Sequence, residues 1–271
     1  MDQHAIAPGN EALRAMWITG DFGAFSAYTS AGDDKVFRQA RIQAGERVLD
    51  AACGAGPFAL RAAQVGADVV GIDIAPNLIA QARESARAAG QSIRFDEGDV
   101  ESLPYGDASF DTVVSQFGVI FTPRPGAAVA EMARVLKPDG RFILFCWTPT
   151  SWVGRLMQVV GRHMPPPPNG MSPLSWGIEE VAKGYLGTHF MTFNASCDAY
   201  AMQFPFGSEA TMDFFLQNMG PVSQAYNALQ AMGKAQALRE DLGQLFSESN
   251  QGRPDAWQVE SEYLQIEARK R

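Results

Sequence analysis

The stretch "RVLDAACGAGPFAL", Arg47 to Leu60, holds an apolar run, two glycines one residue apart, and a second apolar run. A strand that enters a tight turn and leaves as a helix has this shape, because glycine reaches backbone conformations that side chains obstruct. Gly54-Ala55-Gly56-Pro57-Phe58-Ala59 fits the G-x-G-x-x-G/A fingerprint of nucleotide-binding turns, and Asp73 follows at about the spacing of that pattern's acid. Taken alone, the match leaves the ligand open.

From Ala44 to Trp147 short β-rich runs alternate with helical patterns, the signature of a parallel sheet with crossover helices. The strands read "RVLDA", "DVVGIDI", "SIRFDEG", "FDTVVSQF" and "RFILFCW", apolar enough to be covered on both faces. Between them, "PNLIAQARESARAAG" places Pro76 in a first helical turn and Gly90 just past the last. After Trp147 come a helix halted by "PPPPNG", a second helix, and an extended run "HFMTFNASCDAYAMQFPF". About forty residues of helical pattern and a last strand, "AWQVESEYLQIEAR", follow. The fold class expected is α/β: a doubly wound, Rossmann-like, mostly parallel seven-stranded sheet with helical cap insertions. Residues 1–43 form an N-terminal helical lid, 44–150 the cofactor-binding core, and 151–271 the rest of the sheet with a cap near 207–250.

Asp50 separates the ligands that the glycine turn could take. A carboxylate at the strand end, four residues before Gly54, repels a pyrophosphate and welcomes a cation. S-adenosylmethionine has no phosphate; it carries a sulfonium and an α-ammonium. Asp50 is expected to order the glycine turn and bind the amino-acid end. Asp73 ends the second strand, where a carboxylate can accept both ribose hydroxyls. Asp99 ends the third, where it can accept from an exocyclic adenine amine. Three acids at three consecutive strand ends fall on the sheet edge where ligands of such folds sit. Each acid singly could instead cap a helix.

The blocks "VLDAACGAG", "VVGIDIAP", "GDVESLPYGDASFDTVVSQFGVIF" and "EMARVLKPDGRFILFCW" occur in this order over residues 44–150. In them the chain resembles the class I S-adenosylmethionine-dependent methyltransferases, closest to their bacterial small-molecule branch. The resemblance implies that Asp50, Gly54 and Gly56 line the methionine and ribose end and that Asp73 meets the ribose. It further implies that Asp99 and Val100 hold adenine, that Gln116 and Phe117 lie beneath the ligand, and that Ala52, Ile74 and Asn77 complete the cofactor contacts. S-adenosyl-L-homocysteine is then the product. Trp17 and Phe22, with Phe25 and Tyr28, fall where the resemblance puts a lid, although such rings also serve to pack a leader onto a sheet. Members that methylate the adenine amine or protein glutamine carry an Asn/Asp-Pro-Pro-aromatic stretch where this chain has Ser115-Gln116-Phe117-Gly118.

Composition supports a small-molecule acceptor. The formal charge of −8 disfavours a phosphate-backbone partner, so no nucleic acid is expected. Three widely spaced cysteines suggest reduced thiols in a cytoplasmic protein rather than a disulfide frame or zinc site, and no metal is expected. The apolar runs are too short to span a bilayer, and "MDQHAIAPGNEALR" lacks the build of a signal peptide. Homo-oligomerisation stays open.

Methyl transfer is an in-line displacement in which positioning can supply about 7–11 kcal/mol. A base matters only when the acceptor is protonated. Of the histidines, His4 lies in the terminus and His189 starts the sixth strand at the far edge, so His163 is the base candidate. Asp21 in "TGDFG" reads as a turn residue. Met212, Phe214, Phe215, Met219 and Tyr226 could line an apolar acceptor cavity, or serve as ordinary core. The reaction expected is O-, N-, S- or C-methylation of a fairly hydrophobic small molecule, as in secondary metabolism. A non-catalytic S-adenosylmethionine-binding protein and a nicotinamide-dependent oxidoreductase are the alternatives.

Overall fold

The computed structural model describes residues 9–165 and 171–271, apart from the side chain of Thr192. His4 and Pro166 to Pro168 of the proline run therefore lie outside the described residues. In chain order the elements are α1 (Glu11–Ile18), α2 (Ser26–Ala40), β1 (Arg47–Ala51), α3 (Pro57–Gln64), β2 (Asp68–Asp73), α4 (Pro76–Ala88), β3 (Arg94–Glu97) and β4 (Phe110–Gln116). There follow α5 (Pro125–Val135), β5 (Leu136–Trp147), α6 (Trp152–His163), α7 (Glu179–Leu186), β6 (Phe190–Phe204), α8 (Ser208–Asn218), α9 (Gly220–Ala231), α10 (Ala235–Ser249) and β7 (Trp257–Lys270).

The seven strands form one sheet in the order β3-β2-β1-β4-β5-β7-β6. β7 runs antiparallel to β5 and β6, and the other pairings are parallel. This is the doubly wound, Rossmann-like sheet expected. Crossover helices bury both faces, so Val48, Leu49, Ile72, Val113, Val114, Phe142 and Ile143 are all inaccessible or nearly so. The order reverses direction between β1 and β4, which opens a crevice at the C-terminal ends of those strands.

Two elements differ in extent from the sequence pattern. β5 starts at Leu136 rather than near Arg141, because Leu136 pairs with Phe110 before a register shift at Thr112 and Arg141. The helical stretch from Ser208 to Ser249 is three helices, divided at Met219–Gly220 and again at the left-handed Gly233. The leader is interrupted: Gly20 has φ +79° and residues Phe22–Phe25 form a short 3-10 turn. Among the described residues no helix is long and apolar enough to cross a membrane.

An aromatic cluster fastens the cap to the sheet. Trp152 at the start of α6 packs edge-on against Phe215 of α8, Phe246 of α10 and Trp257 of β7, with ring centroids 5.5, 5.1 and 5.0 Å away. The Trp257 indole N–H donates to the Phe246 carbonyl at 2.9 Å. Trp152 is 2% exposed, so its truncation removes contacts that the surroundings cannot restore. Trp152→Ala should lower the unfolding free energy by about 3–5 kcal/mol in urea titration; a loss below 1 kcal/mol would show that the cap is fastened elsewhere.

Candidate active site

The glycine turn is built by three left-handed residues. Ala52, Gly54 and Gly56 have φ of 57°, 54° and 78°, which reverses the chain between β1 and α3 within a few residues. The Gly56 N–H donates to the Cys53 carbonyl at 2.9 Å and the Cys53 N–H to the Ile72 carbonyl at 3.0 Å. Pro57 then starts α3, where its missing N–H costs no helical bond. A Cβ on Gly54 would meet nothing within 4 Å, so the backbone there is bare to the cleft rather than pressed against protein.

All three strand-end acids line one cleft. Asp50, 1% exposed, accepts from the Ala59 N–H in the first turn of α3 at 3.1 Å. Asp73 accepts from the Gly54 N–H at 2.8 Å and the Ala75 N–H at 2.9 Å. The glycine turn is thus ordered by Asp73, whereas Asp50 reaches past it to the helix. Asp99 accepts from the Glu101 N–H at 2.9 Å and the Asn10 side-chain amide at 2.7 Å. Helix or loop capping and cleft lining therefore coexist in the same carboxylates.

Burial sets their electrostatics. Desolvation pushes Asp50 up to about 7; the Ala59 N–H opposes this and the neighbouring Asp73 carboxylate adds to it. Desolvation also raises Asp73, opposed by the N–H groups of Ala75, Gly54 and Ile74. The buried Cys53 thiol is held well above its usual range, first by burial and then by Asp50 and Asp73. Among the described residues, no Lys, Arg or His lines the cleft.

Ala52, Gly54, Ile74, Val100, Gln116, Phe117, Trp17 and Phe22 line the cleft beside the acids. Gly56 closes the turn just outside the lining. Asn77 sits in α4 off the lining, with its carbonyl oxygen buried and unbonded. His163 requires correction: at the C-terminus of α6 it faces α10, its Nε2 lies 2.9 Å from an Asp241 carboxylate oxygen, and it does not line the cleft. Placement after β5 put the helix on the correct side of the sheet, but its last turn points to the cap. Asp21 lies outside the cleft and accepts from the Gln81 amide at 2.8 Å, tying the leader's turn to α4. Of the side chains expected around the acceptor, Phe215 and Met219 line the cleft; Met212, Phe214 and Tyr226 do not, and Phe214 packs against Phe25 and Tyr28 of the leader and Phe204 and Phe206 at the end of β6.

Several lining or anchoring residues carry no local sequence signal. Asn10 is fully buried against Asp99, and Arg14 pairs with Glu97 at 2.7 Å, so α1 is strapped across the end of β3. Trp17 stands edge-on to Phe22 and Phe121 at 5.1 and 4.9 Å. Thr29 and Asp33 of α2, Trp147 of β5, and Tyr200 and Met202 of β6 also line the cleft.

The match to known proteins agrees with this geometry. Residues 49–144 match the methyltransferase domain family. An uncharacterized protein of Mycobacterium tuberculosis is 31% identical over 265 residues, covering 95% of this chain and 94% of that one. Demethylmenaquinone methyltransferase of Deinococcus radiodurans is 39% identical over 148 residues, 51% of this chain and 61% of that enzyme. The crystal structure of the YcgJ protein from Bacillus subtilis superposes with a TM-score of 0.57 at 21% identity over 89% of this chain and 99% of that one, a likeness of fold. The chain belongs to the class I methyltransferases. It is an S-adenosylmethionine-dependent methyltransferase, and a cleft lined by Asp50, Asp73 and Asp99 suits that cationic cofactor.

The raised Asp50 has a measurable consequence. Between the usual carboxylate range and about pH 7 the folded chain keeps a proton that the unfolded chain has lost, so stability falls as pH rises through that window. Asp50→Asn has no such proton. Moving from pH 5 to pH 8, the stability difference in urea should shift toward the variant by roughly 2–3 kcal/mol. A difference independent of pH would contradict a buried, late-titrating Asp50.

Proposed function

We propose that the chain methylates a fairly hydrophobic small molecule, and that its cleft is divided along the sheet. The observation that carries this reading is the composition of the half facing β4, β5 and β6. There Phe25, Phe117, Trp147, Val153, Met202, Phe215 and Met219 form the walls. Phe117 stacks flat on Trp147, with centroids 3.8 Å apart and planes 6° from parallel. Burying apolar ligand surface there contributes roughly 25 cal/mol per Å², while the chain's −8 charge disfavours a polyanion.

In the other half we assign Asp73 to the ribose hydroxyls and Asp99 with Val100 to adenine. Asp50, Ala52 and Gly54 face the amino-acid end, with Ile74 beside Asp73 and Gln116 and Phe117 beneath the reacting centre. S-adenosylmethionine supplies a methyl group on a cationic sulfur. The chain's own part is to exclude water and to hold the acceptor in line. Residues 1–43, with Trp17 and Phe22 over the cleft, act as the lid; 44–150 form the cofactor-binding core; 151–271 finish the sheet and supply the cap near 207–250. Support for a small-molecule acceptor also comes from the likeness to demethylmenaquinone methyltransferase and to the methyltransferase GfsG of Streptomyces halstedii.

Incubation with methyl-labelled S-adenosylmethionine and a panel of apolar hydroxyl, amine and thiol compounds tests the reading. Label should pass to members of the panel; tight S-adenosylhomocysteine binding with no turnover on any of them would favour a binding protein. Calorimetry with S-adenosylhomocysteine checks the ribose assignment. Asp73→Ala should lose about 1–3 kcal/mol of affinity, the scale of hydrogen bonds to a charged group, and unchanged affinity would place the ribose elsewhere.

A further inference from the structure

The apolar half of the cleft contains one polar constellation. Asp33 of α2, 3% exposed, accepts three side-chain hydrogen bonds: from the Tyr200 hydroxyl at 2.6 Å, the Gln116 amide at 2.5 Å and the Thr29 hydroxyl at 3.2 Å. These four residues come from α2, β4 and β6, and all line the cleft. Two of the bonds fall on Oδ1 and one on Oδ2, so the second oxygen retains accepting capacity. The Gln116 carbonyl oxygen is buried and accepts no hydrogen bond. The constellation therefore offers acceptors, and a buried acceptor left unmatched is costly.

The surrounding packing holds this group in place. Lys35 and Gln39 of α2 grip the Asp198 carboxylate at 2.5 and 2.7 Å, two residues before Tyr200. The Tyr200 ring stands edge-on to Phe117 and Trp147 at 5.3 and 5.5 Å, with its hydroxyl at Asp33. A Cβ on Gly32 would lie 2.6 Å from that ring, so α2 approaches β6 only because position 32 has no side chain. A pin between α2 and β6 alone would not need to open onto the cleft beside the aromatic walls.

We propose that Asp33 is the proton acceptor of the reaction and that the acceptor substrate is a hydroxyl compound on an apolar, aromatic-sized frame. This deepens the proposed function and rests on it. The frame lies against Phe117 and Trp147, and the hydroxyl donates into the Asp33–Gln116 pair. In the transfer, the acceptor oxygen forms a bond to the methyl carbon and the methyl–sulfur bond breaks with its electron pair left on sulfur. The hydroxyl proton passes to the Asp33 carboxylate and then to solvent. Methyl ether, S-adenosylhomocysteine and one proton are the products. Burial raises Asp33 above the ordinary carboxylate range, against the hydrogen bonds of Tyr200, Gln116 and Thr29 and the charge of Arg61, which strengthens it as a base.

The test uses the full chain saturated with S-adenosylhomocysteine and three probes of equal frame: 2-naphthol, 2-methoxynaphthalene and 2-naphthylmethylamine, titrated calorimetrically. The wild type should bind naphthol at least about tenfold more tightly than the methoxy compound, the scale of one hydrogen bond to a charged group. Asp33→Asn, similar in shape, should lose most of that preference while keeping its S-adenosylhomocysteine affinity. Turnover of the best hydroxyl acceptor should fall about 10²-fold or more in Asp33→Asn, mainly in kcat. Equal binding of naphthol and its ether, preference for the amine, binding of none of the three at millimolar concentration, or an Asp33→Asn variant that keeps the preference would each overturn the assignment. Label transfer to an acceptor of another class would leave the methyltransferase reading standing while this one failed.

Discussion

The Asp73 carboxylate joins two turns that the chain order keeps apart. One oxygen accepts the Gly54 N–H of the turn after β1, the other the Ala75 N–H of the turn after β2. A carboxylate 7% exposed would be costly to desolvate without such partners. With them, it fixes the relative height of two adjacent strand ends and leaves lone pairs for a ligand. Asp50 and Asp99 follow the same logic, each partly satisfied by backbone N–H groups nearby. That is how three acids can share one low-dielectric cleft that, among the described residues, no cationic side chain lines. The negative potential they create is matched by a ligand bearing a sulfonium and an ammonium.

The two ends of the cleft are covered by different kinds of contact. Over β3 the leader is held by polar links, Asn10 to Asp99 and Arg14 to Glu97. Over β4, β5 and β6 the cover is aromatic, from Phe25 and Phe215 to the Phe117–Trp147 stack. Polar contacts break and reform against water at little net cost, whereas the aromatic cluster around Trp152 and Trp257 resists rearrangement.

The sheet was legible because its information is local. Apolar runs such as "VLDAA" and "VVGIDI" end at acids, and the alternation of strands with helices dictates parallel order, so Asp50, Asp73 and Asp99 could be placed on one edge before any contact was known. Trp17 and Phe22, in the part of the leader where family resemblance puts a lid, line the cleft. What escaped depends on contacts far apart in the chain. Asp33 meets Tyr200 across 167 positions and Asn10 meets Asp99 across 89, and neither short segment announces its partner. His163 failed for a related reason: strand topology fixes the side on which α6 lies, but only its packing against α10 decides where the last turn points. The division of labour between Asp50 and Asp73 was also invisible, since it depends on which carboxylate the Gly54 N–H reaches.

A crystal structure of the chain with S-adenosylhomocysteine bears on the central claim most directly. The account requires ribose hydroxyls at Asp73, adenine between Asp99 and Val100, and the amino-acid end toward Asp50 and Gly54, with sulfur directed at the Phe117–Trp147 side. Density for the ligand at any other face of the sheet, or a cleft occupied with none of these three carboxylates within hydrogen-bonding distance, would contradict it.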